Sequence, residues 1–276
     1  MKEELHIAYL QQEIAWEDPD QNYQLVEESF ARAIDKSGIQ PDILVAPETF
    51  NTGFSNNISA LAESDEGPTF QFAQRIAKQY DALFVASWAV RDYTGIHNRM
   101  HWVDGDGNGL YYDKAHTFRM SSEGSQVERG TQKKIFRWRG WRIRPVVCYD
   151  LRFPNWLRNE RLDPTKVAPS YPPEPVPPLT YDLMIVCANW PASRIHAWNT
   201  LLQARAIENM AFVVGCNCVG VDGLGIEYSG HSAIYDYEGK PLSSCQPGEA
   251  TATIATLRYA DLQHYRNRYP FYLDFD

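Results

Sequence analysis

The stretch VVCYDLRF, residues 146–153, runs from two valines straight into a thiol and then into a charged, aromatic turn. An apolar run that stops so abruptly predicts a buried strand reaching the edge of a sheet. Similar short runs, rich in Val, Ile and Ala, recur as HIAYL (6–10), DILVAPE (42–48), ALFVASWAV (82–90), RPVVCYD (144–150), LMIVCANW (183–190) and AFVVGCN (211–217). Helical patterns lie between them. Leu25, Phe30, Ala31 and Ile34 recur at helical spacing from Gln21 to Lys36, and Phe70, Phe72, Ala73, Ile76 and Ala77 do so from Thr69 to Tyr80. A third helix is predicted from about Ala197 to Met210, and HNRMHWVDGDGNGLYYDK (97–114) predicts a strand, a Gly-rich turn and a second strand. Strands alternating with helices make a layered α/β fold, expected here as a single domain over residues 1–276.

With 276 residues, 44% of them hydrophobic, the chain has enough apolar surface for a substantial core. Its net charge of −9 opposes binding to nucleic acid, which requires clustered Lys and Arg. A small-molecule partner is expected instead. The N-terminal MKEELHIAYL interrupts its apolar residues with acids, unlike a signal peptide, and no run approaches the roughly 18 apolar residues of a membrane span. The expectation is a cytoplasmic protein with no membrane partner. The five cysteines, Cys148, Cys187, Cys216, Cys218 and Cys245, form an odd set that predicts reduced thiols. Cys216 and Cys218 have no second pair at zinc-site spacing, so no metal is expected, and strand geometry would place both on one buried face. DPTKVAPSYPPEPVPPLT, 163–180, holds seven prolines in 18 residues and is expected as an insertion within the domain.

Three polar residues stand where strands emerge: Glu48 after ILVAP, Lys114 after LYYD and Cys148 after VV. In open α/β sheets that edge is where ligands bind. Taken singly, each has an ordinary structural role, as a cap, a solvated lysine or a buried thiol. Together they supply what amide cleavage needs: a nucleophile, a base to take its proton and a cation facing the oxyanion. A free thiol has a pKa of about 8.5, so it needs a neighbouring base or positive charge to act near neutrality.

These residues resemble the signatures of the nitrilase, or carbon–nitrogen hydrolase, superfamily: APETF (46–50), YYDKAHTF (111–118) and CYDLRFP (148–154), in that order. The likeness extends through Glu123 ahead of Gly130, ANWPASR (188–194) and ARAIENMAFVVGCN (204–217), and covers nearly the whole chain. It implies an αββα sandwich that pairs into a four-layered homodimer, with a Glu–Lys–Cys catalytic set and a thioester intermediate. No cofactor is expected. Within the superfamily the blocks look most like the ω-amidase branch, which hydrolyses the terminal amide of 2-oxoglutaramate or 2-oxosuccinamate. The same machinery would also serve a short-chain amide, an N-carbamoyl amino acid or a nitrile. A binding or scaffold protein and a redox-sensing thiol are the readings outside amide chemistry.

On this resemblance Glu48 is the base, Cys148 the nucleophile, and Lys114 with the Tyr149 backbone N–H the oxyanion donors. Glu123 is expected to orient Glu48 or Lys114 and to contact the substrate amide, with Glu128 a less well spaced competitor. Arg152 either binds a substrate carboxylate or braces its own loop, for instance through Asp150. Trp190, Phe118 and Tyr149 are expected as aromatic walls. His116, His196 and His231 are set aside, because the resemblance gives the base role to glutamate.

Overall fold

The computed structural model describes residues 2–162 and 178–275, so most of the Pro-rich insertion expected at 163–180 lies outside the described residues. The first half of the chain forms strands β1 (Glu4–Gln11), β2 (Ile43–Val45), β3 (Leu83–Asp92), β4 (Gly95–Val103) and β5 (Gly109–Asp113). The second half forms β6 (Phe136–Trp138), β7 (Trp141–Val147), β8 (Leu183–Ala188), β9 (Phe212–Asn217), β10 (Val219–Val221), β11 (Glu227–Ser229), β12 (Ala233–Tyr235), β13 (Pro241–Ser244) and β14 (Thr251–Arg258). One six-stranded sheet runs β14-β1-β2-β3-β4-β5 and the other β13-β12-β9-β8-β7-β6, while β10 and β11 form a separate ribbon. The centre of each sheet is parallel, with β2 between β1 and β3 and β8 between β7 and β9. β14 closes the first sheet by pairing antiparallel with β1, which ties the end of the chain to its beginning.

The sheets stack face to face because alternate residues of every central strand are apolar on both faces. Ile7, Tyr9, Ile43, Val45, Val85 and Trp102 of one sheet meet Ile143, Val147, Ile185, Cys187, Val214 and Cys216 of the other. The opposite face of the first sheet, with Ala8, Leu44, Phe84 and Trp88, is covered by helices Pro19–Ser37 and Pro68–Gln79 through Val26, Phe30, Phe72 and Ile76. Helix Ile195–Asn209 covers the second sheet, laying Trp198, Leu202 and Ala206 on Val146, Met184 and Val213. The layers are therefore αββα, as expected.

Local chemistry sets the helix ends. The Asp18 carboxylate accepts from the Gln21 N–H at 3.1 Å to start the first helix, which ends at Gly38 in the left-handed region at φ 66°. The three predicted helices start or stop within one or two residues of their observed bounds. One expectation fails: Cys216 and Cys218 do not share a strand face. β9 ends at Asn217, whose backbone N–H donates to Ser232 Oγ at 2.9 Å and whose Nδ2 donates to the carbonyls of Trp190 and Gly230, and Cys218 falls in the break before β10. Cys216 points into the seam between the sheets, with its Sγ 2.8 Å from the Leu10 carbonyl oxygen. No helix among the described residues is long and apolar enough to cross a membrane.

Phe30 is fully buried between its helix and the first sheet. Phe30→Ala is expected to lower unfolding free energy by about 3–5 kcal/mol in urea titration, leaving a cavity that this close-packed layer cannot close.

Candidate active site

The two sheets deliver their polar groups to one point on the seam. Glu48 follows β2, Lys114 follows β5, and Cys148 and Asn189 follow β7 and β8. At two of these strand ends the backbone takes a conformation that L-residues avoid: Thr49 lies at φ 41° and Cys148 at φ 44°. Such strain persists where surrounding bonds over-determine it. The Thr49 hydroxyl accepts from Asn189 Nδ2 at 2.8 Å, while the Cys148 turn is fastened from below by Asp150. Fully buried, the Asp150 carboxylate accepts from the Tyr112 hydroxyl at 2.8 Å, the His116 N–H at 2.9 Å and His116 Nδ1 at 2.7 Å. It thus binds the Cys148 turn to the segment that follows Lys114. Arg205 secures the same turn by donating twice to the Leu151 carbonyl.

Lys114 is 1% exposed, and its Nζ donates to Glu48 Oε1 at 2.8 Å and to both oxygens of Glu123 at 2.9 Å. Burial pulls this ammonium down, but Glu123 and Glu48 outweigh it and hold the group charged far above its ordinary range. Burial raises the Glu123 carboxyl and the charge of Glu48 raises it further, while Lys114 opposes both. Glu48 Oε2 accepts the Asn189 backbone N–H at 2.9 Å, and Cys148 Sγ lies 3.9 Å from the carbonyl of that same Asn189. Burial pushes the Cys148 thiol well above the usual thiol range, with the charge of Glu48 adding to it and Lys114 opposing. Cys148 is therefore held as a thiol near neutral pH, and it would need a base in order to act as a nucleophile.

Glycine is required at position 130 by close packing. The Gly130 N–H donates to the Lys114 carbonyl at 2.9 Å, and a Cβ there would lie 2.0 Å from the Asp113 carbonyl oxygen. A larger residue would push the Lys114 segment out of place.

Cys148 and Lys114 open into a pocket whose lining includes Phe118, Trp190 and Tyr149. Arg152 also lines it, stacked over Trp190 with its guanidinium carbon 4.9 Å from the ring centroid. No carboxylate pairs with Arg152 among the described residues; Asp150, the brace considered for it, is already occupied by Tyr112 and His116. Glu123, expected to orient Glu48 or Lys114 and to contact the substrate amide, begins a one-turn helix, Glu123–Gln126, and lies buried behind Lys114; it holds the lysine and is not among the residues that line this pocket. Glu128 is exposed, and among the described residues no histidine lines the pocket.

Sequence reasoning assigned no role to four residues found here. Asn98, on β4, donates through Nδ2 to Glu48 Oε1 at 2.8 Å and Glu123 Oε1 at 2.9 Å. Asn189 and Arg194 stood inside the quoted ANWPASR block without a role, and Arg194 places its guanidinium carbon 5.5 Å from the Phe118 ring centroid, in the pocket. Phe54 packs its ring under the Lys114 ammonium at 5.4 Å. Only the spacing of ANWPASR could have signalled any of them.

The family model for carbon–nitrogen hydrolase matches residues 6–267 of this chain. The omega-amidase YafV of Yersinia enterocolitica is 39% identical over 277 residues, covering 99% of this chain and 97% of that one. The 2-oxoglutaramate amidase of Bacillus subtilis is 33% identical over 86% of this chain and 85% of its own. A solved CN-hydrolase superfamily protein from Xanthomonas campestris, with an arsenic adduct in its active site, superposes with a TM-score of 0.89 at 38% identity, covering 100% of this chain and 98% of that one.

Removing the buried ammonium leaves two facing carboxylates. Lys114→Met is expected to cost about 3–5 kcal/mol of stability near neutral pH. The deficit, followed by urea unfolding from pH 8 to pH 5, should shrink as falling pH protonates the orphaned carboxylates; a deficit independent of pH would contradict this account.

Proposed function

This chain belongs to the carbon–nitrogen hydrolase family and is a hydrolase of amides, and within that family we propose that it is an ω-amidase acting on the terminal carboxamide of a short 2-oxo acid such as 2-oxoglutaramate or 2-oxosuccinamate. The observation that carries the substrate class is the pocket's charge. Among the described residues its lining includes Lys114, Arg152 and Arg194 but no Asp or Glu. Glu48 and Glu123 already hold Lys114, whereas neither arginine has a carboxylate partner among the described residues. Two uncompensated guanidinium groups favour a ligand whose far end is anionic, and planar forks suit a carboxylate. They also oppose an α-ammonium group, which separates a 2-oxo acid amide from glutamine itself. The named activities of the Yersinia and Bacillus relatives agree with this choice.

In the proposed reaction Glu48 takes the Cys148 proton as Sγ bonds to the amide carbon. The carbonyl oxygen becomes an oxyanion facing Lys114 and the Tyr149 N–H, which lies in the first turn of the 3₁₀ segment Cys148–Arg152, where backbone donors have no intrahelical acceptor. Glu48 returns the proton to nitrogen, the C–N bond breaks and ammonia leaves a thioester on Cys148. Water then attacks the thioester carbon, giving a proton to Glu48. The C–S bond breaks, the acid departs and the proton returns to sulfur. The high resting pKa of Cys148 agrees with transfer of its proton during attack.

Ammonia release should distinguish this reading from its competitors. kcat/KM for 2-oxoglutaramate or 2-oxosuccinamate is expected to exceed that for glutamine, N-carbamoyl amino acids and simple nitriles by at least about tenfold; no such preference would sink the ω-amidase assignment. Arg152→Gln is expected to raise KM about 10- to 100-fold with kcat little changed, the loss of a charged hydrogen bond made equally in ground and transition states.

A further inference from the structure

We infer that Asn98 is a positioning residue that holds Glu48 and Glu123 together as an ionised pair and leaves Glu48 Oε2 as the oxygen that takes the Cys148 proton. This rests on the assignment of Glu48 as base, but not on which amide is the substrate. Asn98 sits in the middle of β4, is 4% exposed, and touches all three members of the charge cluster. Its Nδ2 reaches Glu48 Oε1 and Glu123 Oε1, the same two oxygens that Lys114 Nζ reaches, and its backbone carbonyl accepts the Lys114 N–H at 3.0 Å. Ammonium and amide therefore both bridge the same two carboxylate oxygens, closing a ring of four hydrogen bonds.

The amide's orientation has no freedom. Two carboxylate acceptors require the NH2 end, so Oδ1 is left buried without a hydrogen-bond partner among the described residues. An orphaned buried carbonyl is unfavourable, and a leucine of similar shape would avoid it. Its retention fits a donor used for the charges it faces.

One ammonium cannot offset two buried carboxylates, and like charges so close drive one of them to take up a proton. The amide NH2 supplies a second positive pole that carries no titratable proton. It stabilises both carboxylates in their charged form without competing for the proton in transit. Among the described residues the titratable groups in contact with Glu48 or influenced by its charge include Lys114, Glu123, Cys148, Cys187 and Cys218, of which Lys114 is the cation. With Oε1 of Glu48 occupied by Lys114 and Asn98, Oε2 is held, among the described residues, by the Asn189 N–H alone, and the Asn189 carbonyl lies beside Cys148 Sγ.

The test is the pH profile of kcat/KM for Asn98→Leu and Asn98→Ser, measured with whichever amide the wild-type protein turns over fastest. Loss of both donors should depress activity about 100-fold at pH 7 and move the acid limb upward by about one pH unit or more. The deficit should narrow toward pH 9, where the carboxylates ionise unaided, while KM changes less than threefold. Asn98→Ser retains one hydroxyl donor and should show a smaller displacement; it also carries the test if the leucine variant fails to fold, as judged by near-UV circular dichroism. A uniform loss at every pH with the acid limb unmoved, or unchanged activity, would overturn the proposal. Full activity of Glu48→Gln would overturn it together with the assignment of the base. A preference for some other amide would remove only the ω-amidase reading, since the limb would still be read on that substrate.

Discussion

Lys114 places an ammonium where water does not reach, and Glu48 and Glu123 enclose it with hydrogen bonds of 2.8 and 2.9 Å. An unpaired charge in such a place would cost several kcal/mol, so the chain around it is organised to prevent that. β5 leads into the lysine, the Gly130 N–H donates to its carbonyl, and the Phe118 N–H donates to Glu123 Oε2 at 2.6 Å. The cluster is stable only when all its members are present. That interdependence turns three distant stretches of sequence into one site.

The second constraint is the seam between the sheets. Glu48 and Lys114 belong to the first sheet, and Cys148 and Asn189 to the second, so the thiol and the Glu48 carboxyl meet only when the inner faces are packed. Polar contacts reinforce the crossing. Asn189 binds Glu48 through its N–H and Thr49 through its side chain, and Asp150 anchors the Cys148 turn to Tyr112 and His116. Left-handed backbone at Thr49 and Cys148 is maintained by this network, and it gives each strand end a sharp exit toward the pocket.

The fold was legible wherever one periodicity dominated. Phe70, Phe72, Ala73 and Ile76 report a helix face by spacing alone, and HIAYL, DILVAP and LMIVC report strands buried on both faces. Cys218 was misplaced because a period-two pattern does not register that the strand stops at Asn217, whose side chain is bonded to the Trp190 and Gly230 carbonyls. Glu123 was identified by its place in the family pattern, but its Ser- and Gly-rich surroundings resemble an exposed loop, and its burial depends on Lys114 being there to receive it. Asn98 was invisible. A single polar residue in a strand gives no sign of facing two carboxylates that lie 50 and 25 residues away.

The sequence by itself determined the αββα layering, the strand ends that bear Glu48, Lys114 and Cys148, and the resemblance that links them, because these depend on local pattern and on order along the chain. Tertiary structure alone decided which groups share a proton or a charge. It committed Asp150 to Tyr112 and His116, leaving Arg152 without a carboxylate partner among the described residues, placed Arg194 beside Phe118, and withdrew Glu123 behind Lys114. The physical reason is that pairing depends on distance and burial: a carboxylate's partner is whichever donor the packed sheets bring within about 3 Å, and sequence separation sets no such distance.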